Sequence, residues 1–281
     1  MTSSSRRLAV AAATALALSL GVTACGSGGG SSDTKAGATG TAAPSGTASA
    51  TDSGPKLSGE INVFAAASLT ETFTGLGKKF EAAHPGVSVK FNFGGSSSLA
   101  TSINQGAPAD IFAAASPATM KTVADAGGVK GEAKTFVSNT LAIAVPKGNP
   151  KHVAALKDLA GSGVKVALCA KEVPCGAAAV EALKAGGVEL TPVTLEKDVK
   201  GALTKVELGE VDASLVYKTD VKADAGKIDG VDFPEAEKAV NNYPIAALAK
   251  APNSAGAEAF VAYIRSAEAK QVFAEAGFKT P

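Results

Sequence analysis

Short apolar runs alternate with amphipathic segments along the chain from residue 58 onward. Residues 61–65 form a compact apolar run, and Phe73, Leu76 and Phe80 follow at a spacing that places them on one helix face. Residues 87–93 alternate apolar and polar side chains, the period of a half-buried strand. Continued along the chain, these patterns predict further strands at residues 109–114, 136–145, 165–168, 213–217 and 243–250, and helices at residues 99–105, 176–185, 198–208, 255–265 and 267–276.

This repeated strand-then-helix order indicates an α/β fold of mostly parallel sheets with helices on both faces. Local signals agree with it, because Ser116-Pro117 places a proline at the first position of a helix and Gly277 stops the last one. Residues 58–281 are long enough for one large or two small domains.

The N-terminus is typical of an exported protein. Arg6 and Arg7 precede an apolar run at residues 8–20 that is too short to span a bilayer. Small residues and then Cys25 follow, an arrangement that resembles a bacterial lipobox, in which the cysteine is acylated. We therefore predict a signal peptide at residues 1–24 and lipidation of Cys25. An ordinary signal peptide that leaves Cys25 as a free thiol is the alternative, and the paired arginines leave the export route open.

The segment after the predicted lipidation site is compositionally a tether. Residues 26–57 are mainly Gly, Ser, Thr and Ala, which cannot bury enough apolar surface to offset their ordering entropy. We therefore predict that residues 25–57 are a lipidated cysteine and a flexible linker. Such a segment would hold the folded part outside the cytoplasm, anchored to the cell membrane.

Charge and catalytic motifs exclude several function classes. The chain has 27 basic and 26 acidic residues, and it lacks the basic field that nucleic-acid binding requires. Its two histidines, His84 and His152, are not at spacings typical of metal ligands or catalytic bases, and no HExxH, GxSxG or phosphate-loop motif is present. The sequence therefore disfavours a hydrolase or a protein that binds a metal cation. Cys169 and Cys175, an even pair in a predicted exported protein, are expected to form a disulfide.

Three turns between predicted strands and helices carry small or hydroxyl residues. Ser68 begins a Ser-x-x-Glu sequence typical of a capping box, residues 94–98 are Gly-Gly-Ser-Ser-Ser, and residues 173–177 are Val-Pro-Cys-Gly-Ala. The start of a helix offers unpaired N–H groups and partial positive charge, so it can bind an anion. Helix capping alone is the alternative interpretation of each turn. Three such turns at strand ends of one α/β chain favour a ligand crevice.

Longer segments around these turns carry a family resemblance. They are Phe-Ala-Ala-Ala-Ser-Leu-Thr at residues 64–70, Phe-Gly-Gly-Ser-Ser-Ser-Leu-Ala at 93–100 and Gly-Ala-Pro-Ala-Asp-Ile-Phe at 106–112. With further segments in the same order, the chain resembles the periplasmic molybdate-binding proteins of molybdenum ABC transporters over residues 60–281. The further segments are residues 173–176, 198–203, 215–217 and 243–245.

The resemblance implies a type II periplasmic-binding-protein fold, in which two α/β lobes joined by two crossing strands hold an oxyanion in the cleft between them. Lobe 1 would comprise residues 58–140 and 244–281, and lobe 2 residues 141–243. It also implies a monomeric binding protein for molybdate and tungstate that passes its ligand to an ABC transporter permease. No enzymatic activity and no cofactor are expected.

The resemblance also implies which residues bind the oxyanion. Serine hydroxyls and backbone groups would come from lobe 1, and backbone N–H groups and a phenol from lobe 2. Whether Ser96, Ser97 or Ser98 contacts the ligand stays open. Residue 175 is commonly alanine in this family, and a cysteine there keeps the backbone N–H. The predicted oxyanion-binding residues are Ser68, Ser96, Cys175, Val199 and Tyr217.

The chemistry of these residues suits a deprotonated dianion, because hydroxyl and backbone N–H groups can all donate hydrogen bonds to it. Sulfate has the same charge and shape as molybdate, so only its smaller size would exclude it, by leaving donors unpaired at about 1–3 kcal/mol each. A receptor for sulfate, thiosulfate or phosphate is therefore one alternative. An enzyme on the same fold is another. Asp110 is expected to hold its turn by hydrogen bonds rather than to contact an anion.

Overall fold

The computed structural model of the chain describes residues 56–281. The predicted signal peptide, the predicted lipidation site at Cys25 and nearly all of the predicted linker lie outside these residues. Within residues 56–281, no helix is both long and apolar enough to cross a membrane.

One five-stranded sheet combines the first four strands of the described chain with the last one. The strands lie in the order second, first, third, tenth, fourth. The first strand is parallel to both of its neighbours, whereas the tenth is antiparallel to both of its own. The strands are β1 (Gly59–Ala66), β2 (Val87–Gly94), β3 (Ile111–Ala113), β4 (Lys134–Asn139) and β10 (Asn241–Ala247).

The second sheet contains the five strands between β4 and β10 and has the same mixture of directions. Their order is seventh, sixth, eighth, fifth, ninth. The sixth strand is parallel to its two neighbours, and the fifth is antiparallel to its two. The strands are β5 (Leu141–Pro146), β6 (Val166–Cys169), β7 (Thr194–Glu196), β8 (Ala213–Tyr217) and β9 (Ile228–Val231).

Helices pack on both faces of the first sheet. Along β1, Val63 and Ala65 belong to the apolar cluster that contains Phe73, whereas Phe64 points into a separate cluster with Leu99. This alternation is what a strand buried on both faces requires. The helices are α1 (Thr70–Ala83), α2 (Ser96–Asn104), α3 (Pro117–Asp125), α4 (Pro174–Ala185), α5 (Val199–Glu207), α6 (Lys218–Ala223), α7 (Ser254–Ile264) and α8 (Ala267–Ala276).

These elements confirm the predicted two-lobe α/β fold, although each sheet is mixed rather than mostly parallel. We call the first sheet with its helices lobe 1 and the second with its helices lobe 2. The single strand predicted at residues 136–145 is in fact β4 and β5, which belong to different sheets. Only Thr140 separates the two strands, and no glycine or proline marks the change of sheet.

The chain therefore crosses from lobe 1 to lobe 2 at Thr140 and returns along the segment before β10. The predicted return at residue 244 falls inside β10, which pairs with β4 from Asn241 onward. In lobe 1, the buried carboxylate of Asp110 accepts hydrogen bonds from the backbone N–H groups of Asn62 at 2.7 Å and Asn253 at 2.6 Å. It ties β1 to the start of α7, which agrees with its expected structural role.

Candidate functional site

The strand-to-helix turns of the two lobes meet around a small cavity. All five predicted oxyanion-binding residues line it. The lining residues are Ala66, Ala67, Ser68, Gly94, Gly95, Ser96 and Ala115 from lobe 1, and Val173, Pro174, Cys175, Asp198, Val199 and Tyr217 from lobe 2.

Three of the helices begin at this cavity. Ser96 is the first residue of α2, Cys175 is the second residue of α4, and Val199 is the first residue of α5. Backbone N–H groups in a first helical turn have no partner within the helix, and the helix dipole makes this end partially positive. Backbone N–H groups from both lobes therefore make the cavity suitable for binding an anion.

Ser68 does not cap α1, contrary to the prediction from the Ser-x-x-Glu sequence. It lies in a 3-10 turn, Ala67–Leu69, that precedes α1, and no side chain caps either element. Its buried hydroxyl oxygen instead lies 2.9 Å from the hydroxyl of Tyr243. Glu71, the other residue of the expected capping box, pairs with Lys200 of lobe 2. Tertiary contacts have replaced the local capping interaction.

Of the three consecutive serines, only Ser96 lines the cavity. It is 1% exposed, and its Oγ accepts a hydrogen bond from the backbone N–H of Ala115 at 3.0 Å. Ser97 points toward lobe 2, where its Oγ donates to the carbonyl oxygen of Glu172 at 2.7 Å, and Ser98 is exposed. The geometry therefore favours Ser96 as the ligand-facing serine.

Tyr217, at the end of β8, presents a buried hydroxyl to the cavity. The residue is 1% exposed, and its hydroxyl has no hydrogen-bond partner among the described residues. Its ring packs edge-on against the ring of Tyr243, with 5.9 Å between the centroids. Burial raises the pKa of Tyr217 well above its ordinary value, and the adjacent Tyr243 raises it further. The phenol therefore keeps its proton at neutral pH and can act as a donor.

The lobe 2 turn that carries Cys175 is held in two ways. The structure joins Cys169, the last residue of β6, to Cys175 by a disulfide, with 5.8 Å between the Cα atoms. The next residue is Gly176, where any side chain would overlap the carbonyl oxygen of Ala170. Both features fix the start of α4 against the end of β6.

Direct contacts between the lobes surround the cavity. The backbone of Gly95 in lobe 1 lies so close to the carbonyl oxygen of Lys197 in lobe 2 that a Cβ at residue 95 would overlap it. Lys200 Nζ lies 2.9 Å from the Glu71 carboxylate of lobe 1 and 3.2 Å from that of Asp220 in lobe 2. The structure therefore shows the lobes closed on each other.

The charges near the cavity compensate one another. Burial alone would lower the pKa of Lys200, but Asp220 and Glu71 together raise it, so the ammonium stays charged. Burial raises the pKa of Asp220 to about 6 against the opposing effect of Lys200. Within residues 56–281, no lysine or arginine lines the cavity, and the one carboxylate that does, Asp198, caps α5 by accepting from the N–H of Gly201 at 3.0 Å. The described residues also contain no cluster of side chains able to hold a metal cation.

The sequence did not identify Tyr243, Glu71 or Lys200 as parts of this neighbourhood. Tyr243 begins one of the segments that carry the family resemblance, but its position on β10 beside Ser68 depends on the return crossing between the lobes. Glu71 was assigned to a capping box. Because the Glu71–Lys200 pair joins residues far apart in the chain, no local pattern could have indicated it.

Comparison with known proteins gives a consistent result. The family model described as bacterial extracellular solute-binding protein matches residues 61–279. A protein of Mycobacterium tuberculosis strain H37Rv named molybdate-binding protein ModA is 44% identical over 221 residues, which cover 79% of this chain and 85% of the relative. YvgL of Bacillus subtilis, provisionally named an ABC transporter substrate-binding lipoprotein, is 33% identical over 82% of this chain and 89% of its own.

Solved structures show the same fold at lower identity. The periplasmic molybdate-binding protein of Azotobacter vinelandii superposes with a TM-score of 0.69 and 21% identity, covering 79% of this chain and 99% of the other. The sulfate-binding protein SubI of Mycobacterium tuberculosis gives a TM-score of 0.66 and 20% identity, covering 79% and 86%. At these identities the likeness concerns the fold and does not distinguish one oxyanion from another.

The buried carboxyl of Asp220 leads to a test of stability against pH. Between the ordinary aspartate pKa of about 4 and the raised value, the folded chain keeps a proton that the unfolded chain has released. Asp220 therefore contributes stability at low pH that is lost as the pH rises through about 6. The free energy of unfolding of Asp220→Asn, relative to the unsubstituted protein, should increase by about 1–3 kcal/mol between about pH 4 and pH 6.5.

Urea denaturation at both pH values measures this difference. Asp232→Asn, at an exposed aspartate that pairs with Lys218, is the matched control. If Asp220→Asn and the control show the same dependence on pH, the assignment to Asp220 is wrong.

Proposed function

This chain belongs to the bacterial extracellular solute-binding proteins, and we propose that it binds molybdate outside the cytoplasm for delivery to the permease of an ABC transporter. The observation that carries the proposal is the convergence, in one cavity, of three helix N-termini and the hydroxyl of Tyr217, which has no partner among the described residues. The relative that is 44% identical and named molybdate-binding protein supports the choice of ligand.

Each of the five candidate residues has a donor role in this proposal. Ser68, Ser96 and Tyr217 donate from hydroxyls, and the backbone N–H groups near the starts of α4 and α5 donate at Cys175 and Val199. Molybdate is a tetrahedral dianion without a proton at neutral pH, so it requires donors only. Uncharged donors fixed by the fold bind such a charge without a mobile counter-ion.

The two crossings between the sheets support a closing motion of the lobes. We propose that lobe 1 and lobe 2, with the return boundary at the start of β10 rather than at residue 244, move about the crossing at Thr140 and the segment that leads into β10. Because ligand donors come from both lobes, the ligand stabilises the closed arrangement. The permease would then recognise the closed form.

Tungstate is proposed as a second ligand, because it shares the shape and charge of molybdate. Sulfate remains the competing assignment, since a protein of the same fold is named for it and the donors seen here suit both ions. Thiosulfate and phosphate are weaker candidates. An enzyme on this fold would need a titratable group at the cavity, and apart from Tyr217 the lining offers only Asp198, which already caps a helix.

Calorimetric titration of the purified domain tests the choice of ligand. Molybdate and tungstate should bind tightly, and sulfate should bind more weakly, because its shorter bonds leave donors unpaired at about 1–3 kcal/mol each. Phosphate is titrated in parallel. Tight binding of sulfate with no binding of molybdate would contradict the proposal.

Replacement of Tyr217 by phenylalanine tests the site without disturbing a bond inside the protein. Since the Tyr217 hydroxyl has no partner among the described residues, its loss should leave the melting temperature of the ligand-free protein unchanged or higher. The affinity for molybdate should fall about tenfold or more. Tyr263→Phe, whose hydroxyl is bonded to Glu268 at 3.4 Å in lobe 1, is the control. Equal affinities for the two variants would remove Tyr217 from the site.

We also propose that the protein is an exported, monomeric lipoprotein. Support comes from the sequence before residue 58 and from the relative provisionally named a lipoprotein. In an exported protein, the disulfide between Cys169 and Cys175 would form in an oxidising compartment.

The anchor has its own test. Cys25→Ala should release the protein from the membrane fraction of expressing cells into the soluble fraction, because acylation at this residue would be lost. The conservative change Thr23→Ser, two residues earlier, is the control. Recovery of the Cys25→Ala protein in the membrane fraction at the unsubstituted level would argue against lipidation at this residue.

A further inference from the structure

Tyr243 lies behind the candidate site rather than in its lining. It is wholly buried on β10, and its hydroxyl lies 2.9 Å from Ser68 Oγ, across 175 positions of sequence. Ser68 Oγ is the partner at hydrogen-bonding geometry within residues 56–281. Burial raises the pKa of Tyr243, whereas the nearby side chains of Ser68, Asn139 and Tyr217 lower it. Tyr243 is therefore placed to affect the site through one serine.

The direction of this hydrogen bond follows from the chemistry of the two groups. A phenol is the more acidic hydroxyl and the better donor. Donation to Ser68 Oγ gives the buried phenol proton a partner at 2.9 Å, whereas an unpaired buried donor costs about 1–3 kcal/mol. We therefore assign Tyr243 as the donor and Ser68 Oγ as the acceptor.

The proton of Ser68 is then left for the cavity. No other hydrogen bond engages the Ser68 side chain among the described residues, and the residue lines the cavity. The proton of Ser96 is also available, because Ser96 Oγ accepts from the N–H of Ala115 and donates no hydrogen bond among the described residues. With the unpartnered hydroxyl of Tyr217, all three hydroxyls of the site have protons free for a ligand.

We propose that Tyr243 is a specificity-determining positioning residue, which fixes Ser68 as a donor and so makes the site select dianions without a proton over oxyanions that carry one. The proposal rests on the oxyanion-binding function proposed above. Hydrogen phosphate has a proton at neutral pH that needs an acceptor. Backbone N–H groups and a Ser68 hydroxyl that is fixed as a donor offer none, so at these positions two hydrogens would face each other without a partner.

The hydroxyl oxygen of Tyr217 and the carboxylate of Asp198 are lining groups that could still accept such a proton. Asp198 Oδ1 is already bonded to the N–H of Gly201, where it caps α5. The unsubstituted protein reveals whether its other oxygen serves hydrogen phosphate. If hydrogen phosphate bound as tightly as molybdate, the donor-only description would be wrong and the proposal would fall.

A double-mutant cycle on the whole described domain tests the role of Tyr243. Tyr243→Phe, Ser68→Ala and the double variant are titrated with molybdate and, separately, with inorganic phosphate at neutral pH. In Tyr243→Phe, Ser68 can turn its proton toward other groups or accept one, so molybdate should bind about five- to tenfold more weakly. The affinity for phosphate should fall by a smaller factor or should rise. The ratio of molybdate affinity to phosphate affinity should therefore decrease.

The cycle separates an effect through Ser68 from a general disturbance. In the Ser68→Ala background, Tyr243→Phe should change molybdate affinity by less than about twofold. Equal weakening of both oxyanions in Tyr243→Phe, or an undiminished effect without Ser68, would overturn the proposal while leaving the proposed function intact. If Tyr243→Phe does not fold, Ser68→Ala alone must narrow the preference. If the unsubstituted protein binds neither molybdate nor any other oxyanion, the proposed function is wrong, and this inference with it.

Discussion

The candidate site exists only where the turns of the two lobes meet, so the arrangement of its ligand-facing donors depends on the contact between the lobes. Each lobe supplies part of the cavity: the turns after β1 and β2 on one side, and the starts of α4 and α5 on the other. Neither half encloses a cavity by itself. The disulfide between Cys169 and Cys175 and the close approach at Gly176 make the lobe 2 half rigid before it meets the other.

The ion pairs of Lys200 near the candidate site lie outside the cavity and involve residues of both lobes. The cavity contains uncharged donors, while the nearby ammonium of Lys200 is neutralised by carboxylates from both lobes. Placing the charge compensation outside the cavity leaves the ligand to hydroxyl and backbone groups whose positions are fixed by the fold. It also separates the energy that holds the lobes together from the interactions that would choose the ligand.

Much of this could be predicted from the sequence. The hydrophobic pattern indicated most strands and helices, and the small and hydroxyl residues of three turns indicated the cavity. The failures have physical causes. Ser68 has the sequence of a helix cap, but Tyr243 takes its hydroxyl, and this partner is 175 positions away. Only Thr140 separates β4 from β5, and no glycine or proline marks the junction, so the change of sheet is hidden. The short β7 and β9 have too few residues for a recognisable period.

The absence of a side chain at Gly95 has a consequence for how such a molecule could evolve. At this point the backbones of Gly95 and Lys197 are in contact. A single methyl group at residue 95 would overlap the carbonyl oxygen of Lys197 and would keep the lobes apart. The obstruction would lie beside the ligand's donors without removing any of them. A side chain at residue 95 would therefore leave the donors for ligand recognition in place but would obstruct closure of the lobes around the ligand.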